Sequence, residues 1–173
     1  MKAILFLPTQ GPHLPRTGAA EQFDWRAQCR LAAALQKALA DSIIYVPSAF
    51  QQAGTRSELE FYGEQLRNEG VPHEAIQLDR QGYETVEQCE LAIALAEKES
   101  ARLIVISCHV HFGRVRYLLK GHPVEHVIAH GTPSPWLHFT HLVLGLGFPV
   151  LDKLGLRDWW KHRVTRRRLQ GKQ

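Results

Sequence analysis

The residues best suited to chemistry fall in three short stretches: Ser48, Ser57 and Glu58; then Gly82, Thr85 and Glu87; then Ser107, Cys108, His109, His111 and Arg114. A carboxylate, an imidazole and a guanidinium brought together can hold an anion and move a proton. Arg114 supplies a planar fork of donors that matches phosphate or carboxylate. An imidazole such as that of His111 can act as acid or base near neutral pH. His111 and Arg114 stand three residues apart, so on a helix they share a face. The catalytic candidates are therefore His111, Glu58 and Glu87. The ligand-binding candidates are Ser48, Ser57, Thr85, Ser107 and Arg114. Glu58 and Glu87 also have a plain structural explanation, because a carboxylate in the first turn of a helix stabilises it.

The elements that must position these residues follow from hydrophobic patterning. Ala3 to Leu7 reads as a first strand, Ser42 to Val46 as a second and Ala75 to Leu78 as a third. Arg102 to Ser107, with Leu103-Ile104-Val105-Ile106, reads as a fourth strand and Val124 to Ala129 as a fifth. Between them, helical spacing runs from Gln22 to Ala40, from Thr55 to about Glu69, from Thr85 to about Glu99 and from His111 to about Lys120. Thr55-x-x-Glu58 and Thr85-x-x-Gln88 are expected to cap the second and third helices, and Gly70 with Pro72 to end the second. Strand alternating with helix implies an α/β fold with a parallel sheet and helices on both faces. In such a sheet the loops after the strands gather at the carboxyl edge, where helix N-termini favour anions. All three chemical stretches follow strands and so converge there.

The chain has 173 residues, 45% apolar and 22% charged, which is enough for an ordinary core. Residues 1–134 are expected to form the α/β domain and residues 135–173 an aromatic and basic helical extension packed on it. In that extension Pro149 is expected to break the apolar stretch and the indoles to be partly buried. An interfacial membrane or partner-binding segment, with Trp beside Lys and Arg, is the sharper alternative. From Arg157 to the end there are seven Lys or Arg against one Asp, so the net charge of +4 belongs to the tail. A solvated terminal helix explains that charge, nucleic acid is not an expected partner, and peripheral membrane contact through the tail is open. The apolar start is too short for a signal-peptide core or a span. Three cysteines without a Cys-x-x-Cys pair argue against a disulfide framework or zinc ribbon, and a cytoplasmic location is expected.

Other motifs are weaker. Seven of the ten histidines lie between His109 and His141, and His109-x-His111 suggests chelation, but no partner motif accompanies them. His122, His126 and His130 surround a strand, where such spacing leaves side chains about two pleats apart. Cys108 beside His109 is a poor nucleophile–base pair, since neighbours at a strand end point in opposite directions. Gly11 to Gly18 lacks the G-x-G-x-x-G order of a dinucleotide fingerprint, and no redox motif is visible.

Taken in order, Ser57-Glu58, Gly70-Val71-Pro72, Thr85-Val86-Glu87-Gln88 and Ser107-Cys108-His109-Val110-His111-Phe112-Gly113-Arg114 resemble the YdcF/SanA/ElyC-like bacterial domain family. That family shows Ser-Glu-Ala, a Gly-Val-Pro turn, Thr-x-Glu-Asn and Thr-Ser-x-x-His-x-x-Arg-Ala. The resemblance runs from Arg30 to Ala129. Departures are Pro47-Ser48-Ala49-Phe50 for a Ser-Gly-Gly turn, Gly82 for a serine, Gln88 for the Asn, Ser107 for the Thr and Val115 for the Ala. The resemblance implies a Rossmann-like three-layer fold with an open, mostly parallel sheet of about five strands. It also implies a polar cleft holding Ser57, Glu58, Thr85, Glu87, His111 and Arg114. One member is associated with S-adenosylmethionine and others with the cell envelope. The expected function is binding of a polar anionic metabolite, nucleotide-like or phosphorylated, with hydrolysis or group transfer as the reaction. The alternative is a non-catalytic ligand-binding or sensor protein linked to envelope metabolism.

Overall fold

The computed structural model describes residues 2–9, 25–51, 56–130 and 135–170. The elements are β1 (Ala3–Phe6), α1 (Trp25–Ala38), β2 (Ser42–Pro47), α2 (Glu58–Asn68), β3 (Ile76–Asp79), α3 (Thr85–Lys98), β4 (Arg102–Cys108), α4 (His109–Leu118), β5 (Val124–Ala129), α5 (Pro135–Lys153) and α6 (Arg157–Gln170). The five strands form one sheet in the order β3-β2-β1-β4-β5, and every neighbouring pair is parallel. This is an α/β fold consistent with a Rossmann-like arrangement.

The strand sequences explain their places. A central parallel strand is buried on both faces, so it needs a continuous apolar run rather than an alternation. β1 and β4 are such runs, with every residue of β1 buried. Alternation along them divides the core in two. Leu5, Ile44, Ile104 and Ile106 pack with Cys29, Ala32 and Ala33 of α1 and Leu59, Tyr62 and Leu66 of α2. Ile4, Phe6, Leu103 and Val105 pack with Cys89 and Ala92 of α3 and Val115 and Leu119 of α4. The outer strands β3 and β5 are less buried and carry polar residues, as edges do. Because β1 and β4 are neighbours whose following helices cover opposite faces, their carboxyl ends border a crevice, the usual ligand position in such sheets.

The helix starts differ from the sequence expectation in an informative way. Thr55 lies outside the described residues, and the cap of α2 is Ser57: its hydroxyl accepts from the Glu60 amide while Glu60 Oε2 accepts from the Ser57 amide. The S/T-x-x-E pattern fits twice in this stretch, and the later copy is used because Glu58 turns inward. For α3 the cap is Glu84, whose Oε1 accepts from the Glu87 amide at 2.9 Å. Thr85 is thereby moved into the first helical position, with its hydroxyl released for other work. The end of α2 is as expected: Gly70 takes a φ of +81° and its amide bonds back to the Arg67 carbonyl. β4 passes directly into α4, so that helix begins two residues earlier than expected, at His109.

α5 packs against α4. It runs through Pro149 rather than breaking there. The ring forfeits one helical hydrogen bond, and the adjacent buried Phe148, set edge-on to Tyr117 and Trp160, offsets that loss. Trp160 is half-buried as expected, but Trp159 is exposed, because it lies on the face of α6 turned away from Phe148. Among the described residues, no helix is long and apolar enough to cross a membrane.

Candidate functional site

The first turn of α3 and the first two turns of α4 bring Thr85, His111 and Arg114 together. Thr85 Oγ1 lies 3.1 Å from His111 Nε2 and accepts from Arg114 Nη2 at 2.5 Å. Arg114 Nη2 also contacts His111 Nε2 directly. A guanidinium only donates, so in this contact His111 Nε2 is the accepting nitrogen. His111 and Thr85 are buried, whereas Arg114 is half-buried and reaches the surface. The backbone explains the meeting. Direct passage of β4 into α4 places His111 in the first turn, and the Glu84 cap places Thr85 at the first position opposite it. Ser107, the penultimate residue of β4, lies on the same sheet face as Leu103 and Val105, and its buried hydroxyl has no hydrogen-bond partner among the described residues.

A second network surrounds Glu58. Its Oε2 accepts from Ser48 Oγ and, at 2.7 Å, from Thr9 Oγ1. Thr9 is held in turn by Gln88, whose Nε2 donates to Thr9 Oγ1 at 2.7 Å and whose Oε1 accepts from the Thr9 amide at 3.1 Å. The ends of β1 and β2 and the starts of α2 and α3 are thus tied through one carboxylate and one carboxamide. α3 links the two networks, since Thr85 and Gln88 stand three residues apart on it.

The remaining candidates serve other ends. Glu87 Oε2 accepts from the Tyr83 amide at 2.7 Å, tightening the loop before α3. Ser57 caps α2. It also lines, with Ser48, Phe50, Glu60, Arg80 and Tyr83, a polar recess of about 450 Å³ between the β2–α2 and β3–α3 loops. The structure therefore brings Thr85, His111 and Arg114 together, places Ser48 and Glu58 in a neighbouring network, and gives Ser57 and Glu87 capping roles.

Sequence reasoning passed over four participants. Thr9 follows β1 at the same edge, and including the loop after the first strand would have found it. Glu84 was passed over because Glu is not a favoured cap residue; the structure buries it beside Arg114. Burial holds its carboxyl above the ordinary value, ahead of the Val86 and Glu87 amides and Arg114, which pull it down. Gln88 engages both ends of its carboxamide, with Thr9 and the Gly82 carbonyl. Gln28, fully buried, donates to the Pro8 and Ile106 carbonyls at the ends of β1 and β4 and accepts from Tyr62; a glutamine in a helical pattern gives no sign of this.

Two further histidines pair with aromatic rings near β5. The His109 ring stacks on His130 at 6.2 Å, and His126 sits edge-on to Phe112 at 5.6 Å. Burial, then the charge of Arg116, holds His126 below the ordinary imidazole value. Among the described residues, no group of three or more His, Cys, Asp or Glu is arranged to hold a metal ion. All three cysteines are buried, and burial pushes the Cys29 and Cys89 thiols up. Compared with protein-family models, curated proteins and solved structures, the chain matches none.

Proposed function

We propose that the chain is a YdcF-like protein that binds a polar anionic metabolite, nucleotide-like or phosphorylated, at the carboxyl edge of a Rossmann-like sheet, and acts on it by hydrolysis or group transfer. The observation that carries this reading is the meeting of Thr85, His111 and Arg114 near the N-terminal ends of two helices. Helix N-termini favour negative charge, and Arg114 adds a fork of donors for it. The buried hydroxyl of Ser107, without a hydrogen-bond partner among the described residues, supplies a further polar group on the same sheet face. The three buried thiols support a cytoplasmic setting.

The contact between Arg114 and His111 suggests how binding and chemistry are coupled. A phosphate or carboxylate is a stronger acceptor for a guanidinium than a neutral imidazole is. An incoming anion therefore draws Arg114 towards itself and releases His111 Nε2 to take a proton from water or from a hydroxyl of a second substrate. Once protonated, Nε2 can donate to Thr85 Oγ1, which then holds the ring in place.

A second reading, a ligand sensor without turnover, is favoured by Glu58 and Glu87. Their carboxylates hold hydroxyls and a backbone amide of the scaffold. A thermal-shift screen of wild type and His111→Ala against nucleotides, sugar phosphates and S-adenosylmethionine, followed by turnover assays of each hit, separates the two. The enzyme reading predicts turnover that His111→Ala abolishes. Binding of a hit by both proteins with no turnover by either establishes the sensor instead.

A further inference from the structure

We propose that the outer face of α5 and α6 docks the protein on an anionic membrane surface, lying in the interface without crossing it. This surface is independent of the site at the sheet edge. Leu142, Val143, Leu146 and Val150 are all more than half exposed, Leu146 at 68%. At 3.6 residues per turn they fall within an arc of about 100°, directly opposite the buried Phe148 that packs α5 against Tyr117 and Trp160. A helix in a water-soluble fold normally turns its apolar stripe inward. Here buried Phe148 helps anchor the helix while an apolar stripe faces out.

The outward stripe continues through exposed Leu154 and Leu156 into α6. There Trp159, Arg163 and Arg166 share the exposed face, with the Arg163 guanidinium 5.3 Å above the Trp159 ring. Beyond residue 130 the chain carries eight Lys or Arg and only two acidic residues, Asp152 and Asp158. Asp152 and Arg157 neutralise each other and Lys161 pairs with Glu90, which leaves six Lys or Arg against Asp158. An apolar stripe flanked by an indole and by cations is the pattern of a helix seated at the headgroup boundary. The positive balance fits anionic lipid, where each nearby Lys or Arg adds to binding. A second copy of the chain would bring the same positive charge against itself, so charge favours lipid over self-association. No helix among the described residues is suited to crossing, which leaves the interfacial position.

Flotation of the full chain tests this, using vesicles of phosphatidylcholine with phosphatidylglycerol and vesicles of phosphatidylcholine alone. Wild type is expected to float with the anionic vesicles and to remain largely free of the neutral ones. Leu146→Asp/Val150→Asp and, independently, Arg163→Glu/Arg166→Glu should each lower partitioning about tenfold or more. All four positions are exposed, so circular dichroism and melting temperature should match wild type; if the apolar pair misfolds, the charge pair still decides. Absence of flotation, or equal flotation with both vesicle types, overturns the proposal. So does a wild-type dimer in light scattering that Leu146→Asp/Val150→Asp converts to monomer while vesicles remain unbound, which would assign the face to a second copy.

Discussion

At the scale of single residues, hydrogen bonds between polar side chains tie the sheet edge together, and their removal has calculable cost. Gln28 joins the ends of β1 and β4 from inside the core, and its carboxamide oxygen is held by the Tyr62 hydroxyl. Tyr62→Phe leaves that buried oxygen short of a donor and should cost about 1–2 kcal/mol in urea unfolding. An unchanged midpoint would show the bond to be dispensable. Glu84 gives a pH-dependent prediction. Burial raises its folded-state value above the ordinary 4.5. The folded protein therefore keeps a proton that the unfolded chain has released. The stability this contributes is present below the unfolded value and declines as pH rises through the folded one. Glu84→Gln keeps an acceptor for the Glu87 amide and does not titrate. Its stability relative to wild type should rise between about pH 4 and about pH 7; the same difference at both pH values would contradict the assignment. These side chains mark the limit of the sequence reading. His111 and Arg114 were legible because their spacing implies one helix face. Gln28 and Glu84 were not, because their roles depend on strands and charges distant in sequence.

At the scale of elements, the register of each helix start decides which side chain faces the site. Ser57 and Glu60 fix the start of α2, and Ser57→Ala should cost about 1 kcal/mol, measurable by denaturant unfolding. Gly82 controls the approach to α3. Its φ is +83°, and a Cβ there would stand 2.9 Å from Gln88 Cγ. Its carbonyl accepts from the Ala49 amide at 3.1 Å, joining the loops after β2 and β3. Glycine suits this position because the backbone conformation disfavours any side chain and Gln88 fills the space. Gly82→Ala should destabilise by about 1–3 kcal/mol, with loss of the Thr9–Gln88 contacts visible as a shift of the Thr9 amide resonance. Five strands and the helices between them were readable from apolar runs and their spacing. The exact starts were ambiguous because two capping patterns overlap before α2 and because Glu serves as the cap of α3.

At the scale of the whole molecule, the sheet order turns separate loops into one edge. β1 and β4 are adjacent although α1, β2, α2, β3 and α3 all lie between them in sequence, and this adjacency sets Thr9, Ser107 and the first turns of α3 and α4 around one crevice. The alternation of strand and helix made that architecture legible, but apolar patterning says nothing of which groups bond across the crevice. It also left open the outward stripe of α5, because a stripe at helical spacing looks alike whether it meets the core or an external surface. The central claim is that Arg114, set beside His111 and Thr85, holds the anion of a metabolite. Titration calorimetry of wild type, Arg114→Lys and Arg114→Ala with the phosphorylated compound giving the largest thermal shift tests it most directly. The account predicts at least a tenfold weaker affinity for Arg114→Ala, equivalent to about 1.5–3 kcal/mol, with Arg114→Lys intermediate. Equal affinity for wild type and Arg114→Ala would contradict it.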